Sequence, residues 1–262
     1  GVTDAVFIDC YDIADCQPAS DLLKWRINLG RNSRAGAHYT HFLVYDFDGD
    51  GRAEIACKTA PGTVDGKGVP VLLPGDSADA DYVCREGRLI GRITGGPEYL
   101  TVFSGETCEA LATVSYTPAY ADLPDWGDDY FNRSERYLAC VAVLGDGAEE
   151  PEVPERSRGT EMTGRRGRAS MVFCRGYYTQ ANLAAYDFDG KNITLRWIPQ
   201  SLTPGKDSAY GQGAHSLAVG DVDNDGCDEI IYGSATIDHN GSLLPSTGLG
   251  HGDALHLADI LP

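Results

Sequence analysis

Asp46-Phe47-Asp48-Gly49-Asp50-Gly51-Arg52-Ala53-Glu54-Ile55 and Asp221-Val222-Asp223-Asn224-Asp225-Gly226-Cys227-Asp228-Glu229-Ile230-Ile231 write one pattern twice. Carboxylates stand at loop positions 1, 3 and 5, glycine at position 6 allows a sharp bend, and an acid closes the pattern at position 9. This spacing gathers hard oxygen donors around one hard cation, so both stretches read as Ca2+ loops, with Arg52 and Cys227 lending backbone carbonyls at position 7. A helical calcium hand would need a bidentate glutamate at position 12, where Cys57 and Tyr232 stand instead. The flanks also oppose helices. Phe42-Leu43-Val44-Tyr45, Ile55-Ala56-Cys57, Leu217-Ala218-Val219 and Glu229-Ile230-Ile231-Tyr232 are short, apolar and partly β-branched, so each loop is expected between two strands.

Outward from the loops the repeat widens. Asp9-Cys10-Tyr11-Asp12-Ile13 leads to Leu22-Leu23-Lys24-Trp25-Arg26-Ile27, and Ala185-Tyr186-Asp187-Phe188-Asp189-Gly190 leads to Leu195-Arg196-Trp197-Ile198. Each reads as a hairpin ending in a strand with an anchoring tryptophan. A loop, Gly36-Ala37-His38 or Gly213-Ala214-His215, a strand and the acidic loop then follow. Further strands are expected at 98–107, 136–144 and 170–178. Short strands punctuated by 32 glycines and 13 prolines, with no sustained helical period, give an all-β chain. Repeated small sheets suit a β-propeller with calcium-binding loops, and at roughly 40 to 50 residues per blade the chain holds about five. A calcium-loop β-sandwich is the competing architecture. Residues 1–262 read as part of a single propeller domain, interrupted at 145–168 by a Glu-Pro-rich then Arg-rich stretch expected to be a solvated insertion at a blade edge.

The balance of 21 basic against 39 acidic residues, net −18, argues against nucleic-acid binding and fits a chain that holds divalent cations, although acidity also serves solubility alone. No apolar run approaches ~20 residues, so no membrane helix is expected, and the chain reads as a monomer. No signal peptide is visible; both ends look like strands already under way, and the location is expected to be extracellular, with the cytoplasm the alternative. Eight cysteines lack a CxxC pairing, which argues against zinc. Positions such as Cys140, in Leu138-Ala139-Cys140-Val141-Ala142-Val143, suit buried free thiols, with one or two disulfides still open.

Histidines stand out beside the loops. His38 lies eight residues before Asp46 and His215 six before Asp221; on a regular strand these even offsets put each imidazole on the face of the first aspartate. A histidine hydrogen-bonded within the strand layer is the plainer reading of His38. His215 gains weight from Gly250-His251-Gly252-Asp253, where His251 and Asp253 share a face if the segment is extended. Mixed nitrogen and oxygen donors there would suit a metal other than calcium. Arg34, Lys58, Arg175 and the pair Tyr177-Tyr178 are candidates for holding sugar acids, by charge and by aromatic stacking. No catalytic carboxylate pair can be chosen among so many acids, and no serine-hydrolase, P-loop, zinc-protease or dinucleotide signature is present.

Taken together, Leu23-Lys24-Trp25-Arg26-Ile27-Asn28-Leu29-Gly30, Arg34-Ala35-Gly36-Ala37-His38-Tyr39-Thr40, Gly96-Pro97-Glu98-Tyr99, Trp126-Gly127-Asp128, Arg175-Gly176-Tyr177-Tyr178, Gly211-Gln212-Gly213 and Gly248-Leu249-Gly250-His251-Gly252-Asp253-Ala254-Leu255-His256 closely resemble rhamnogalacturonan lyases of polysaccharide lyase family 11. The resemblance runs from about residue 4 to the end. It implies eight-bladed propellers with many calcium ions on chains about twice this length, so this chain would cover the middle of the ring. It also implies β-elimination between rhamnose and galacturonate of rhamnogalacturonan I. Carried over as calcium ligands are Asp46, Asp48, Asp50, Arg52 and Glu54 in one loop, Asp221, Asp223, Asp225, Cys227 and Glu229 in the other, and His215, His251 and Asp253. The family's sugar-contacting asparagine and aspartate would precede Gly1, and its Asn-Gly-Thr group with a tyrosine would follow Pro262, so the segment supplies scaffold and is expected to be inactive alone. Pro61 replaces a usual aspartate, which counts against a calcium site at Asp65; Ala214 and Ser216 replace asparagines, and Asp259-Ile260-Leu261-Pro262 departs from Asp-x-Asp-Pro. The competing function is a non-catalytic calcium propeller that binds carbohydrate or a protein partner.

Overall fold

The computed structural model describes residues 5–12, 22–36, 38–122, 125–145, 167–199, 209–244 and 246–258. Its strands form four antiparallel meanders in chain order. β1 (Val6–Tyr11) and β2 (Leu23–Gly30) form the first sheet. The second runs β3 (Phe42–Tyr45), β4 (Glu54–Thr59), β5 (Tyr99–Ser104), β6 (Ala110–Ser115), and the third β7 (Tyr137–Val143), β8 (Ala169–Arg175), β9 (Asn182–Phe188), β10 (Ile193–Trp197). β11 (Leu217–Gly220), β12 (Glu229–Tyr232) and β13 (Ala235–Ile237) form the fourth. The chain is thus all-β, and each acidic loop joins the first two strands of a sheet, between strands as their flanks predict.

Two expectations change. Four sheets occur among the described residues where chain length suggests about five. One reason is that the β4–β5 connection is long: residues 60–98 form turns and bridges such as Val64 with Asn28 and Pro70, and Val83 with Ile93, rather than another sheet. The repeat boundary also shifts. The tryptophan hairpins are the last strands of one sheet, and His38 and His215 come just before the first strand of the next. The tryptophans do anchor, but across that boundary: Trp25 Nε1 on β2 donates to Gly105 O just after β5 (2.9 Å), and Trp197 Nε1 on β10 donates to His239 O just after β13 (2.8 Å).

The core lies between successive sheets, which explains the near-continuous apolar strands. On β8 every residue is buried; Met171 and Phe173 pack toward the second sheet with Leu43, Leu100 and Val102, whereas Val172 and Cys174 pack toward the fourth with Ile230 and Tyr232. Alternation sends odd and even side chains into different cores, so neither face of the strand has to be polar. The first strands of the last three sheets also touch, β7 contacting both β3 and β11. Val143 pairs with Ala169; of the insertion expected at 145–168, residues 146–166 lie outside the described residues. No helix among the described residues is long and apolar enough to cross a membrane.

Cys10, Cys57, Cys84, Cys108, Cys140, Cys174 and Cys227 are free thiols, as expected for the majority; Cys16 lies outside the described residues. Burial pushes the Cys57 and Cys140 thiols up to about 12, leaving them inert. One glycine is required by geometry: Gly30 ends β2 at φ +75, and an added Cβ would strike the Gly62 carbonyl. Gly30→Ala is expected to cost about 2 kcal/mol or more; an unchanged urea midpoint would remove this role.

Candidate metal and sugar site

The two acidic loops superimpose in their bonding. Asp46 Oδ2 accepts from Gly51 N (2.9 Å) and Asp221 Oδ2 from Gly226 N (3.1 Å). Asp50 Oδ1 accepts from Arg52 N (2.8 Å) and Asp225 Oδ1 from Cys227 N (2.7 Å). The closing glutamates reach back, Glu54 to Phe47 N (2.9 Å) and Glu229 to Val222 N (2.7 Å). Positions 4 and 6 are left-handed in both, Gly49 with Asn224 and Gly51 with Gly226. The carboxylates of Asp46, Asp48 and Asp50 offer oxygens within 4.8 Å of one another, as do those of Asp221, Asp223 and Asp225.

These loops fit a cation on internal grounds. Glu54 and Glu229 are buried, and their carboxyls are raised above the ordinary range, first by that burial and then by repulsion from the loop aspartates. Glu229 Oε1 is buried with no hydrogen-bond partner. Converging negative charge with an orphaned oxygen is relieved by a bound positive ion. Burial first, then Asp225, pushes the Cys227 thiol up to about 11, so this residue offers its carbonyl rather than sulfur. Asp65 differs: its oxygens accept from Lys67 N, Val69 N and Ala110 N, so it braces a turn.

A second cluster gathers imidazoles and phenols at the strand ends. Rings of His38 and His215 lie 5.3 Å apart, His215 and His251 4.8 Å, and Tyr178 covers His251 at 3.9 Å. Asp253 Oδ1 is 3.6 Å from His215 Nε2 and 3.4 Å from His251 Nε2, and the three residues offer a ligand-sized group. His251 Nδ1 sits 2.6 Å from Gly213 O, which orients the ring, and its Nε2 is buried without a hydrogen-bond partner. Burial foremost, then nearby Arg136 and other imidazoles, lowers the affinity of His38 and His215 for protons, leaving neutral rings at neutral pH.

The parity argument for the histidines does not hold, because residues 38–41 and 215–216 precede the strands as turn and coil. Adjacent sheets bring His38 to His215 instead. Sequence reasoning left His38 as structural; its link to His215 crosses between sheets and has no local signal. Tyr177 is buried, with its hydroxyl accepting from Asn132 Nδ2 (2.9 Å) and Arg136 over its ring at 4.8 Å, whereas Tyr178 is exposed.

The expected sugar-binding cations separate. Arg175 is 1% exposed: Nη1 lies 2.6 Å from Glu98 Oε2, Nε donates to Ser134 O (2.7 Å), and Trp126 and Tyr137 flank it at 4.9 and 5.2 Å. Lys58 Nζ joins Glu98 at 3.1 Å. Both cations are held by one buried carboxylate and are not presented to a sugar. Burial works to raise the Glu98 carboxyl, but Arg175 and then Lys58 overcome it and hold it down at about 2. Arg34 pairs with Glu135 and stacks on Tyr39 at 3.7 Å, and it borders an open cavity of about 700 Å³ that Arg31, Arg85 and Arg92 also line.

Repeated antiparallel sheets, two of them opened by an acidic loop between their first two strands, define an all-β protein. The chain belongs to rhamnogalacturonan lyase family 11: the model of that family's C-terminal domain matches residues 1–262. It is 51% identical over its whole length to rhamnogalacturonan exolyase YesX and 45% identical to rhamnogalacturonan endolyase YesW, both of Bacillus subtilis (strain 168). It spans 37% of the length of each of these relatives. Among solved structures, that of the exotype rhamnogalacturonan lyase YesX aligns with TM-score 0.79 and 52% identity over 98% of this chain and 37% of that one. The Bacillus licheniformis rhamnogalacturonan lyase aligns with TM-score 0.79 over 98% of this chain and 38% of its own.

Proposed function

We propose that the protein containing this chain is a calcium-dependent lyase that cleaves the rhamnose–galacturonate bond of rhamnogalacturonan I by β-elimination, this segment supplying scaffold, cation sites and one wall of the cleft. The match to the lyase family along all 262 residues carries the reading. Successive sheets with touching first strands support a propeller as the larger architecture. Asp46, Asp48, Asp50 and Glu54, with the Arg52 carbonyl, would hold one calcium; Asp221, Asp223, Asp225 and Glu229, with the Cys227 carbonyl, a second; and His215, His251 and Asp253, with two imidazoles, a third cation of another kind.

Calcium, where bound near the cleft, supplies positive charge that neutralises a uronate carboxylate and so acidifies the proton at C5. The side chains orient the sugar: exposed Tyr178 offers a ring face, His251 fixes the ring's far side, and Arg34 borders a basic cavity suited to a second uronate. Elimination needs a base for the C5 proton and departure of the 4-linked rhamnose. Full-length protein given rhamnogalacturonan I should produce the ultraviolet absorbance of an unsaturated uronate, lost with chelator and restored by calcium. Binding to pectin fragments without that absorbance would overturn the lyase in favour of a carbohydrate-binding propeller.

A further inference from the structure

The second acidic loop carries groups the first lacks. Opposite Glu54, across the β4–β5 pair, stands Ser104, whose hydroxyl accepts from Glu106 N (3.3 Å) and Thr107 N (3.2 Å) and closes its own turn. At the matching place, one step beyond the Ile230–Ile237 pair, Asp238 faces Glu229, and His239 follows. Glu229, Asp238 and His239 offer ligand atoms within 4.8 Å of one another.

Each carboxylate has one oxygen held by hydrogen bonds and one with no hydrogen-bond partner. Glu229 Oε2 accepts from Val222 N (2.7 Å), and Asp238 Oδ2 accepts from Asn240 Nδ2 (2.9 Å) and Ser242 Oγ (3.3 Å). Glu229 Oε1, Asp238 Oδ1 and His239 Nδ1 are all buried without a hydrogen-bond partner, and Glu229 is 0% exposed. His239 Nδ1 lies 2.7 Å from Asp238 Oδ1 and 3.1 Å from Asp225 Oδ2, close but not aligned as hydrogen bonds. The His239 carbonyl is tied to Trp197, which fixes the backbone of the cluster. Outer partners holding ligands in place, with inner lone pairs facing one point, is how protein metal sites are organised.

We propose that Glu229, Asp238 and His239, with Asp225 as a shared carboxylate, form a site for a divalent first-row transition ion beside the calcium loop. An imidazole nitrogen among carboxylates favours such an ion over calcium, which takes oxygen alone. The site ties β12, the turn after β13 and the acidic loop to one centre. It shares Asp225 and Glu229 with the calcium reading, whereas Asp238 and His239 belong to it alone, so D238N and H239Q test it whether or not the loop binds calcium.

Full-length protein, stripped with chelator and refilled with calcium, should still take up Co2+, read as bound Co2+ per chain and as visible absorption. H239Q and D238N should each lose one equivalent, or weaken it tenfold or more, while calcium uptake by the Asp46 loop stays unchanged. H251A separates any ion held at the other histidine cluster, because its loss adds to that of H239Q. Should D238N not fold, the partly exposed His239 leaves H239Q to carry the test. An unchanged Co2+ count and spectrum in H239Q, or complete displacement of Co2+ by calcium, would overturn the proposal.

Discussion

Arg175→Met is expected to lower stability by about 3 to 5 kcal/mol, because it strands Glu98 as a buried carboxylate with only Lys58 opposite. For a chain of this size that is a fall in Tm of roughly 10 °C. Calorimetry or circular dichroism reads it directly, and a loss under about 1 kcal/mol would show that the Glu98 cluster is not a buried ion pair. Adding Glu98→Gln to the methionine variant should recover part of the loss, since the neutral amide no longer needs a cation. The same pair governs acid stability. Glu98 is held at about 2 in the folded chain against 4.5 ordinarily, so its contribution is complete above the ordinary value and disappears as pH falls from there towards 2. A gap of that size corresponds to about 3 kcal/mol. Glu98→Gln should flatten the acid limb of the stability curve by about that amount; an identical limb in both proteins would count against the assignment.

Removing calcium is the second large effect. If each acidic loop is saturated about a hundredfold above its dissociation constant, each contributes about 2.7 kcal/mol, and chelation should lower Tm by roughly 10 to 20 °C. Readdition of calcium should restore it. Asp223→Ala should remove about half of the calcium response and leave the rest, since the Asp46 loop shares no ligand with it. A melting curve indifferent to chelator would refute both loops at once.

Much of this site was readable from spacing. A bond from position 6 back to position 1 is local, so Asp46 and Asp221 declare their loops through residues five places away. The tryptophans of β2 and β10 were likewise recognisable as anchors, though not their acceptors, since Gly105 and His239 lie in the following sheet. Arg175 misled for a related reason. A cation beside two tyrosines suits a sugar, and only the approach of Glu98, Ser134 and Trp126 shows that protein groups already surround it. Tyr177 and Tyr178 exchange roles through backbone geometry: Tyr178 is left-handed at φ 64, which turns the second ring outward while the first is buried.

By itself, the sequence determined the strands, the acidic loops between them and the resemblance to a lyase family, because each depends on composition or on neighbours a few residues apart. Tertiary structure alone decided which charges meet. Glu98 and Arg175, His38 and His215, and Glu229 with Asp238 and His239 are joined by sheet stacking and cross-strand register. Whether a buried carboxylate is neutralised by arginine or left open for a metal depends on which side chains those contacts bring within about 4 Å, and separation along the chain carries no record of that distance.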